Sequence, residues 1–257
     1  TYPLSHKIHS GHALDFVRYA ASVQGNYDLA SKSAWNMANS IKDNQIMIMQ
    51  GQKRVAAPWQ VLKTFAKWDE ILELKPKHTG TPYLDGIWSY VKGSAYLAKG
   101  NNEQASQELN KLKQIINLPD VDKYRAGATP VSRVLKAAAY GLEGEIFLAG
   151  GKYSEAIDAF TLAVALEDQN NYTEPPDWPH PMRLYLGSAL IAAKKFKEAE
   201  KVYRRDLDWN KNNGWSLFGL QQSLQLQGKT EEAETIHKEF LLAWQRADVE
   251  LNDSFMK

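Results

Sequence analysis

The chain has 257 residues, which is enough for one large domain or for an extended repeat array. Its 31 Lys and Arg residues nearly balance 30 Asp and Glu residues, and the two signs are interleaved, so the sequence lacks the basic patches of a nucleic-acid-binding protein. The chain has no cysteine, which excludes disulfides, thiolate nucleophiles and thiolate metal sites.

The sequence has no apolar run of about 18 residues or more and no signal-peptide pattern at its start, so we expect no membrane span. The lack of cysteine suits a reducing compartment and equally a periplasmic protein without disulfides. The chain opens on Thr1 rather than on methionine, which is compatible with a processed or truncated form. The sequence is therefore compatible with a location in the cytoplasm and with one in the periplasm.

Six segments, taken in chain order, each predict a first helix, a tight turn and a second helix. In the first segment, "LDFVRYAASVQGNYDLASKSAWNMA", the first helix is expected to begin at about residue 11 with Ser10 as its N-cap. His6 and His9 would then lie in an extended lead-in. The second segment, "WQVLKTFAKWDEILEL", is the weakest copy. The turns are predicted at residues 25, 66, 100, 151, 194 and 228, and insertions at 42–58, 117–130 and 168–180.

The last four segments show the repeat most clearly, because small and bulky residues recur in one phase relative to the turn. In the fourth segment these residues are Gly144, Phe147, Ala156 and Phe160. The sixth segment keeps the phase but has Gln221 at the glycine position and His237 at the second aromatic position. Small residues let two antiparallel helices approach closely, and bulky ones fill the holes between neighbouring pairs. Since one pair cannot bury its apolar face alone, the copies are expected to stack.

These positions resemble the tetratricopeptide repeat (TPR). The stretches "HALDF", "YTEPPDW" and "NGWSLFGL" are similar to motifs of a widespread bacterial subgroup of TPR proteins, and the similarity covers nearly the whole chain. In that subgroup the first motif usually carries two histidines, whose positions here hold His12 and Asp15, so Asp15 departs from the pattern. The resemblance implies an all-α, right-handed superhelical solenoid of about six TPR-like antiparallel helix pairs, forming a single domain over residues 1–257. It also implies that further repeats often precede such a region, and it implies no settled reaction.

The first candidate site is formed by His6, His9, His12 and Asp15 near the start of the chain. On one continuous helix these residues would share a face and could hold a metal ion. Ser10 and Gly11 instead favour a helix start, which would leave Asp15 near the first turn, where a carboxylate gains from the helix dipole. The open alternatives are a capped helix start, a metal or ligand site, and a His–Asp catalytic dyad.

The second candidate is the proline-rich insertion "YTEPPDWPHPMR", whose prolines fix an extended conformation. Such a rigid loop could hold Glu174 and His180 towards His12 across the concave face, giving a shell suited to a divalent transition metal such as zinc, iron or manganese. In the alternative, Trp178 fills the gap between the fourth and fifth pairs and the prolines end the preceding helix.

The third candidate is an aromatic groove for a ligand. Its predicted lining residues are Tyr19, Trp35, Trp88, Tyr90, Trp178 and Arg183. Aromatic-lined grooves of solenoids typically bind an extended peptide or a helix, whereas the alternative for each aromatic residue is packing in the core.

These patterns favour a non-enzymatic protein-interaction scaffold that binds a peptide or protein segment in the concave groove of a TPR superhelix. The alternative function is a metal-binding protein or metal-dependent enzyme that uses His12, Asp15, Glu174 and His180. A third reading is a structural subunit of a larger assembly. The sequence has no phosphate-binding glycine loop, no Ser-His-Asp order and no His-Glu-x-x-His motif.

Overall fold

The computed structural model of the chain describes residues 6–123, 125–126 and 129–256, with the side chains of all of these except residues 6–10 and 126. Within them the protein is all-α, with twelve helices packed as sequential adjacent pairs. The first six helices are α1 (His6–Val23), α2 (Tyr27–Asn39), α3 (Met49–Thr64), α4 (Trp68–Glu73), α5 (Pro82–Ala98) and α6 (Asn102–Ile116). The other six are α7 (Val131–Ala149), α8 (Tyr153–Asp168), α9 (Met182–Ala192), α10 (Phe196–Trp209), α11 (Gly214–Leu226) and α12 (Thr230–Ala243). None of these helices is both long and apolar enough to cross a lipid bilayer.

Each pair consists of a first and a second helix, joined by a turn that contains one residue with positive φ. These residues, with φ between 53° and 76°, are Gly25, Ala66, Gly100, Gly151, Lys194 and Gly228. They stand at the six turns predicted from the repeat phase, which confirms that phase. Each first helix after α1 also packs on the second helix of the preceding pair, so the pairs are stacked in chain order.

The predicted start of α1 is wrong, because the backbone is already helical at His6 and Ser10 is not an N-cap. Gly11 is therefore an interior helical residue. The guanidinium group of Arg54 on α3 lies against it, and a Cβ atom at this position would come within 2.4 Å of Arg54 Cζ unless that flexible side chain shifted. The helix thus forms through this position despite the low helix propensity of glycine.

The predicted insertion at 42–58 is largely wrong as well, because α3 begins at Met49 and continues through Pro58. Only the stretch before α3 lies outside the main helices, and it includes a short 3-10 helix over Asp43–Gln45. Nearly the whole second half of α3 is buried, including Trp59 and Leu62. This burial stabilises the helix despite the hydrogen bond that a proline cannot donate.

The other two predicted insertions are present as loops. At the end of the first, β1 (Arg125–Ala126) pairs antiparallel with β2 (Thr129–Pro130). The second is the proline-rich segment between α8 and α9, and its Asp177 is buried. Asp177 accepts hydrogen bonds from Lys53 Nζ at 2.6 Å and from Thr129 Oγ1 at 3.0 Å, so the two loops and α3 are tied together.

The last described pair contacts the first one. Trp215 on α11 donates a hydrogen bond of 2.8 Å from its indole Nε1 to the carbonyl oxygen of Ser22 at the end of α1. Beside this contact the indole of Trp244 lies over Gly25 and Gly214, where a Cβ atom would come within 2.3 Å of its ring. We call this junction the seam.

The chain after α12 continues across the seam. The carboxylate of Asp248 accepts hydrogen bonds from the backbone N–H groups of Tyr27 and Asp28, at 2.6 and 2.9 Å. Its own backbone N–H donates to the carbonyl oxygen of Gly25. Asp248 therefore supplies the N-terminus of α2 with a negatively charged hydrogen-bond acceptor from the far end of the chain.

Candidate functional site

A buried polar cluster lies where the first helices of the middle pairs meet. It consists of Lys63 on α3, Tyr90 on α5, Glu145 on α7, His180 just before α9 and Tyr185 on α9, and we call it the central cluster. Lys63 Nζ lies 3.0 Å from Glu145 Oε1 and donates a hydrogen bond of 2.9 Å to the hydroxyl group of Tyr185. The same ammonium group lies 4.7 Å from the ring centroids of Tyr90 and Tyr185.

The electrostatics of the central cluster favour a fixed ion pair. Burial alone would lower the pKa of Lys63, but Glu145 and the phenol of Tyr185 outweigh it, so that the pKa is raised. Burial, together with the nearby positive charge of Lys63, lowers the pKa of His180 to about 3. The cavity beside His180 and Tyr185 measures about 10 Å³, which is room for at most one water molecule. A larger cavity of about 260 Å³ is lined by Glu145 together with Phe255. The central cluster thus has the chemistry of a structural ion pair that borders one cavity at Glu145.

The C-terminal segment covers one side of the central cluster. The ring of Phe255 lies 4.4 Å from that of Tyr185, centroid to centroid, and is 5% exposed. Ser254 donates a hydrogen bond of 2.8 Å to the carbonyl oxygen of Leu184, and its hydroxyl group also lies 2.7 Å from that of Tyr203. The C-terminal segment is therefore packed against α9 and α10 beside the central cluster.

An open groove lies instead on the outside of the seam. Two cavities of about 680 and 350 Å³ meet there and share Tyr19, Trp209 and Asn210, and together we call them the seam groove. The larger cavity runs between α1 and α12, and the smaller one runs along the proline-rich segment. Trp209 is 63% exposed and Tyr172, at the far end, is 84% exposed. Large aromatic side chains in so open a position are typical of binding surfaces.

The floor of the seam groove is polar and largely charge-neutral. Tyr19 donates a hydrogen bond of 3.1 Å to Asn210 Oδ1, and burial, helped by the negative charge of Asp206, raises its pKa to about 12. Arg183 makes a two-fold hydrogen bond with the carboxylate of Asp168, at 2.7 and 2.6 Å. These groups are held in place before any ligand arrives.

Other polar groups that line the smaller cavity are left with unused hydrogen-bonding capacity. Three of its lining residues have a buried atom without a hydrogen-bond partner: Asn170 Oδ1, Thr173 Oγ1 and Trp178 Nε1. Glu167 accepts the backbone N–H of Met182 at 2.8 Å, and burial raises its pKa to about 8. Each of these three atoms is buried and unpaired, which costs free energy in the folded protein.

The predicted metal ligands on α1 have other contacts. Asp15 accepts a hydrogen bond of 2.7 Å from Arg18 Nε, and His12 is exposed with its ring 4.8 Å from that of Phe16. The side chain of His9 lies outside the described residues. Burial, the negative charge of Asp177 and, to a smaller extent, that of Asp15 raise the pKa of Tyr83 on α5, whereas the positive charge of Arg18 opposes this.

The two predicted ligands of the proline-rich segment lie apart from each other. Glu174 accepts a hydrogen bond from the hydroxyl group of Tyr172 at the surface, whereas His180 is buried between the rings of Tyr185 and Trp215. Among the side chains that the structure describes, no three His, Asp or Glu residues are grouped so that they could hold a metal ion. Asp177 lines the same cavity as Tyr19 on α1.

The six residues predicted to line an aromatic groove are divided between different places. Three of them line the seam groove: Tyr19, Trp178 and Arg183. Trp88 lines a separate cleft of about 450 Å³ between α5 and α6, Tyr90 belongs to the central cluster, and Trp35 is partly buried against the core. The prediction missed Trp209, although an aromatic residue in the polar run "RRDLDWNKNNG" is a sequence signal for an exposed ring.

No protein-family model matches this chain, and no curated protein matches its sequence.

Proposed function

We propose that this chain is a non-enzymatic protein-interaction scaffold that binds a segment of another protein in the seam groove. The proposal includes the finer architecture, a right-handed superhelical solenoid of six TPR-like pairs. It is supported by the phase of the six turns and by the stacking of each first helix on the preceding second helix.

The observation that carries the proposal is the position of open aromatic rings over a floor of preformed polar groups. Trp209 and Tyr172 stand exposed at the seam groove, while Arg183 is held by Asp168 below them. Exposed aromatic rings anchor protein partners at little entropic cost, and fixed polar groups set the register of a bound segment. The combined groove is also large enough for more than one side chain of a partner.

The cavity beside the central cluster is a weaker candidate for the binding surface. It measures about 260 Å³ and is lined by Glu145 and by Phe255 and Met256 of the chain's own C-terminal segment. The two cavities of the seam groove are larger, at about 680 and 350 Å³, and they carry the exposed rings of Trp209 and Tyr172.

The test is a selection of random linear peptides displayed on phage against the immobilised full chain, followed by affinity measurements with synthetic copies of the selected peptides. Trp209→Ala and Tyr172→Ala should each weaken binding about tenfold or more, which corresponds to about 1.4 kcal/mol. Leu226→Ala is the matched control, because Leu226 is also an exposed apolar residue, at 47%, but lies outside the seam groove. Selected peptides that bind all three variants as tightly as the unmodified chain would contradict the proposal, as would a selection that yields no binder.

A further inference from the structure

Three carboxylates line the smaller cavity of the seam groove, and they differ in how their charge is balanced. Asp168 is paired with Arg183 and Asp177 with Lys53, each at 2.6 Å. Glu167 has no ion-pair partner among the residues that the structure describes. An acidic side chain that is partly withdrawn from water usually has such a partner, so Glu167 stands out as the unbalanced charge of this cavity.

The carboxylate of Glu167 is held in place, but only one of its oxygens is used. Oε2 accepts a hydrogen bond of 2.8 Å from the backbone N–H of Met182 at the start of α9. Oε1 has no hydrogen-bond partner among the described residues, and it is not one of the fully buried unpaired atoms. It is therefore a fixed acceptor that a ligand in the cavity can reach.

The unpaired polar atoms of the lining are mainly hydrogen-bond acceptors. Asn170 Oδ1 and Thr173 Oγ1 are oxygens without a partner, as is Glu167 Oε1, whereas Trp178 contributes one unpaired N–H group. Such a lining is complementary to a ligand that donates several hydrogen bonds and accepts none. A guanidinium group has five N–H donors and no acceptor.

Two exposed aromatic rings line the same cavity, those of Trp209 and Tyr172. Arginine packs its planar guanidinium group on aromatic faces. The protein already contains one such contact, because the guanidinium carbon of Arg205 lies 5.2 Å from the ring centroid of Trp209. The charge of Arg205 is itself offset by Asp208, at 3.6 Å. The ring of Trp209 is thus placed to contact a guanidinium group, and Glu167 supplies a counter-charge in the same cavity.

We propose that the smaller cavity binds an arginine side chain of the partner segment, with the guanidinium group on Glu167 Oε1 and beside the rings of Trp209 and Tyr172. This inference rests on the proposed function and names a residue that the bound segment carries. Arginine suits the site better than lysine, because its planar group can bond a carboxylate and pack on a ring at once. The cavity, at about 350 Å³, is within the size range of ligand pockets.

Arginine binding should be coupled to the ionisation of Glu167. Burial and the negative charges of Asp206 and Asp168 raise the pKa of Glu167 to about 8, while the Met182 N–H and Arg183 oppose this rise. A guanidinium group binds the charged carboxylate more tightly than the neutral acid, and arginine itself stays protonated. The affinity should therefore increase as the pH rises from about 6 to about 9, because Glu167 loses its proton in this range.

The other groups around Glu167 do not explain such a pH dependence. Tyr19, whose pKa is about 12, keeps its proton throughout this range. The charged and titratable groups on the elements around the cavity are Asp168 on α8, Arg183 on α9, Asp206 on α10, Tyr19 on α1 and Asp177 on the proline-rich segment. Asp168 and Asp177 are held in ion pairs, and Asp206 is 1% exposed and accepts hydrogen bonds from Asn213 and Ser216.

The experiment compares synthetic peptides, selected on the full chain as above, with copies in which each arginine in turn is replaced by citrulline. Citrulline has nearly the same shape but no charge. One replacement should weaken binding to the unmodified chain about tenfold or more at about pH 9, and the copy with citrulline there should bind independently of pH. Glu167→Gln should abolish both the citrulline effect and the pH dependence. Glutamine retains an oxygen for the Met182 N–H, so this variant should fold.

Glu239→Gln is the matched control, because it removes an exposed carboxylate from the larger cavity of the same groove. It should leave the citrulline effect and the pH dependence unchanged. If Glu167→Gln fails to fold, as judged by circular dichroism, the pH profiles of the arginine and citrulline peptides on the unmodified chain still test the proposal. Identical profiles of the two peptides would overturn it.

The remaining outcomes separate this inference from the function on which it rests. Peptides that lose affinity in Trp209→Ala but tolerate citrulline at every position would overturn the arginine and leave the proposed function standing. An arginine effect that persists in Glu167→Gln would overturn the role of Glu167. A selection that yields no peptide would overturn both proposals. If N-acetylarginine amide nevertheless bound the chain and lost affinity in Glu167→Gln, the cavity would be a site for a free guanidinium compound rather than for a protein segment.

Discussion

Trp215 and Ser22 join the last described helical pair to the first one, through a hydrogen bond of 2.8 Å from the indole Nε1 to a carbonyl oxygen. The indole is 1% exposed and contacts the rings of Phe65, His180 and Trp244. One side chain thus connects the seam to the central cluster. A substitution of Trp215 is therefore expected to lower the free energy of unfolding by weakening contacts at both ends of the chain.

Trp215→Phe should destabilise the protein, by about 1 kcal/mol for the lost hydrogen bond and by a further amount for the smaller ring. The free energy of unfolding, measured with urea, gives the change. Trp209→Phe is the control, since Trp209 is 63% exposed and should change stability by no more than about 0.5 kcal/mol. Equal effects of the two substitutions would show that the seam contributes nothing to stability.

Lys63→Met should destabilise the protein by about 3–5 kcal/mol, because it leaves the buried carboxylate of Glu145 without its ion-pair partner. The double variant Lys63→Met, Glu145→Leu should be less destabilised than the sum of the two single variants, since it removes both charges. Urea unfolding of all four proteins measures this coupling. For comparison, Glu232→Gln breaks the exposed pair with Arg204 and should cost no more than about 1 kcal/mol. If the changes in the free energy of unfolding of the two single variants simply added up in the double variant, the buried ion pair would be contradicted.

Acidification should destabilise the protein through His180. In the folded protein His180 stays neutral down to about pH 3, whereas in the unfolded chain it binds a proton below about pH 6.5. Because the unfolded state binds more protons in this window, the free energy of unfolding falls as the pH decreases from about 6.5 towards 3. His180→Phe should reduce this slope, measured by urea unfolding near neutral pH and at about pH 5. Trp178→Phe, which alters the same surroundings without a titrating group, should leave the slope unchanged.

Lys194→Gly should stabilise the protein by about 1 kcal/mol, because Lys194 has φ 59° and a left-handed conformation is costly for any residue with a Cβ atom. Four of the six turns already have glycine at this position, and Lys194 itself is exposed, so the substitution removes no packing. Lys197→Gly in α10 is the opposite control and should destabilise by about 1 kcal/mol. The thermal midpoints of the two variants should shift in opposite directions. A lower midpoint for Lys194→Gly would contradict the assigned turn geometry.

The repeat phase predicted the six turns from the sequence, because small residues, bulky residues and turn residues recur at fixed distances within one pair. It failed where contacts between distant parts decide local structure. Gly11 lies inside α1, where it contacts Arg54 on α3, and Pro58 lies inside α3, whose second half is largely buried. The residues next to Gly11 and Pro58 in the sequence do not predict either arrangement.

The candidate site was predicted in part, for a similar reason. Tyr19, Trp178 and Arg183 line the seam groove, but the sequence could not show that they meet at Trp209, which depends on how the last pair closes on the first. Likewise, nothing in "NDSFM" indicates that Phe255 lies against Tyr185. The period of the sequence predicts which residues of one pair share a face. Contact between the last pair and the first depends instead on the sum of many small rotations between successive pairs.

The bond between Trp215 and Ser22 also bears on how the number of repeats can change during evolution. An open stack tolerates the gain or loss of one unit, since every unit touches only its two neighbours. In the described part of this chain the sixth helical pair also contacts the first. A duplicated pair in the middle would therefore move Trp215 away from Ser22, unless the curvature of the whole stack changed as well. Descendants of this sequence should therefore vary in loop length far more readily than in the number of helical pairs between these two residues.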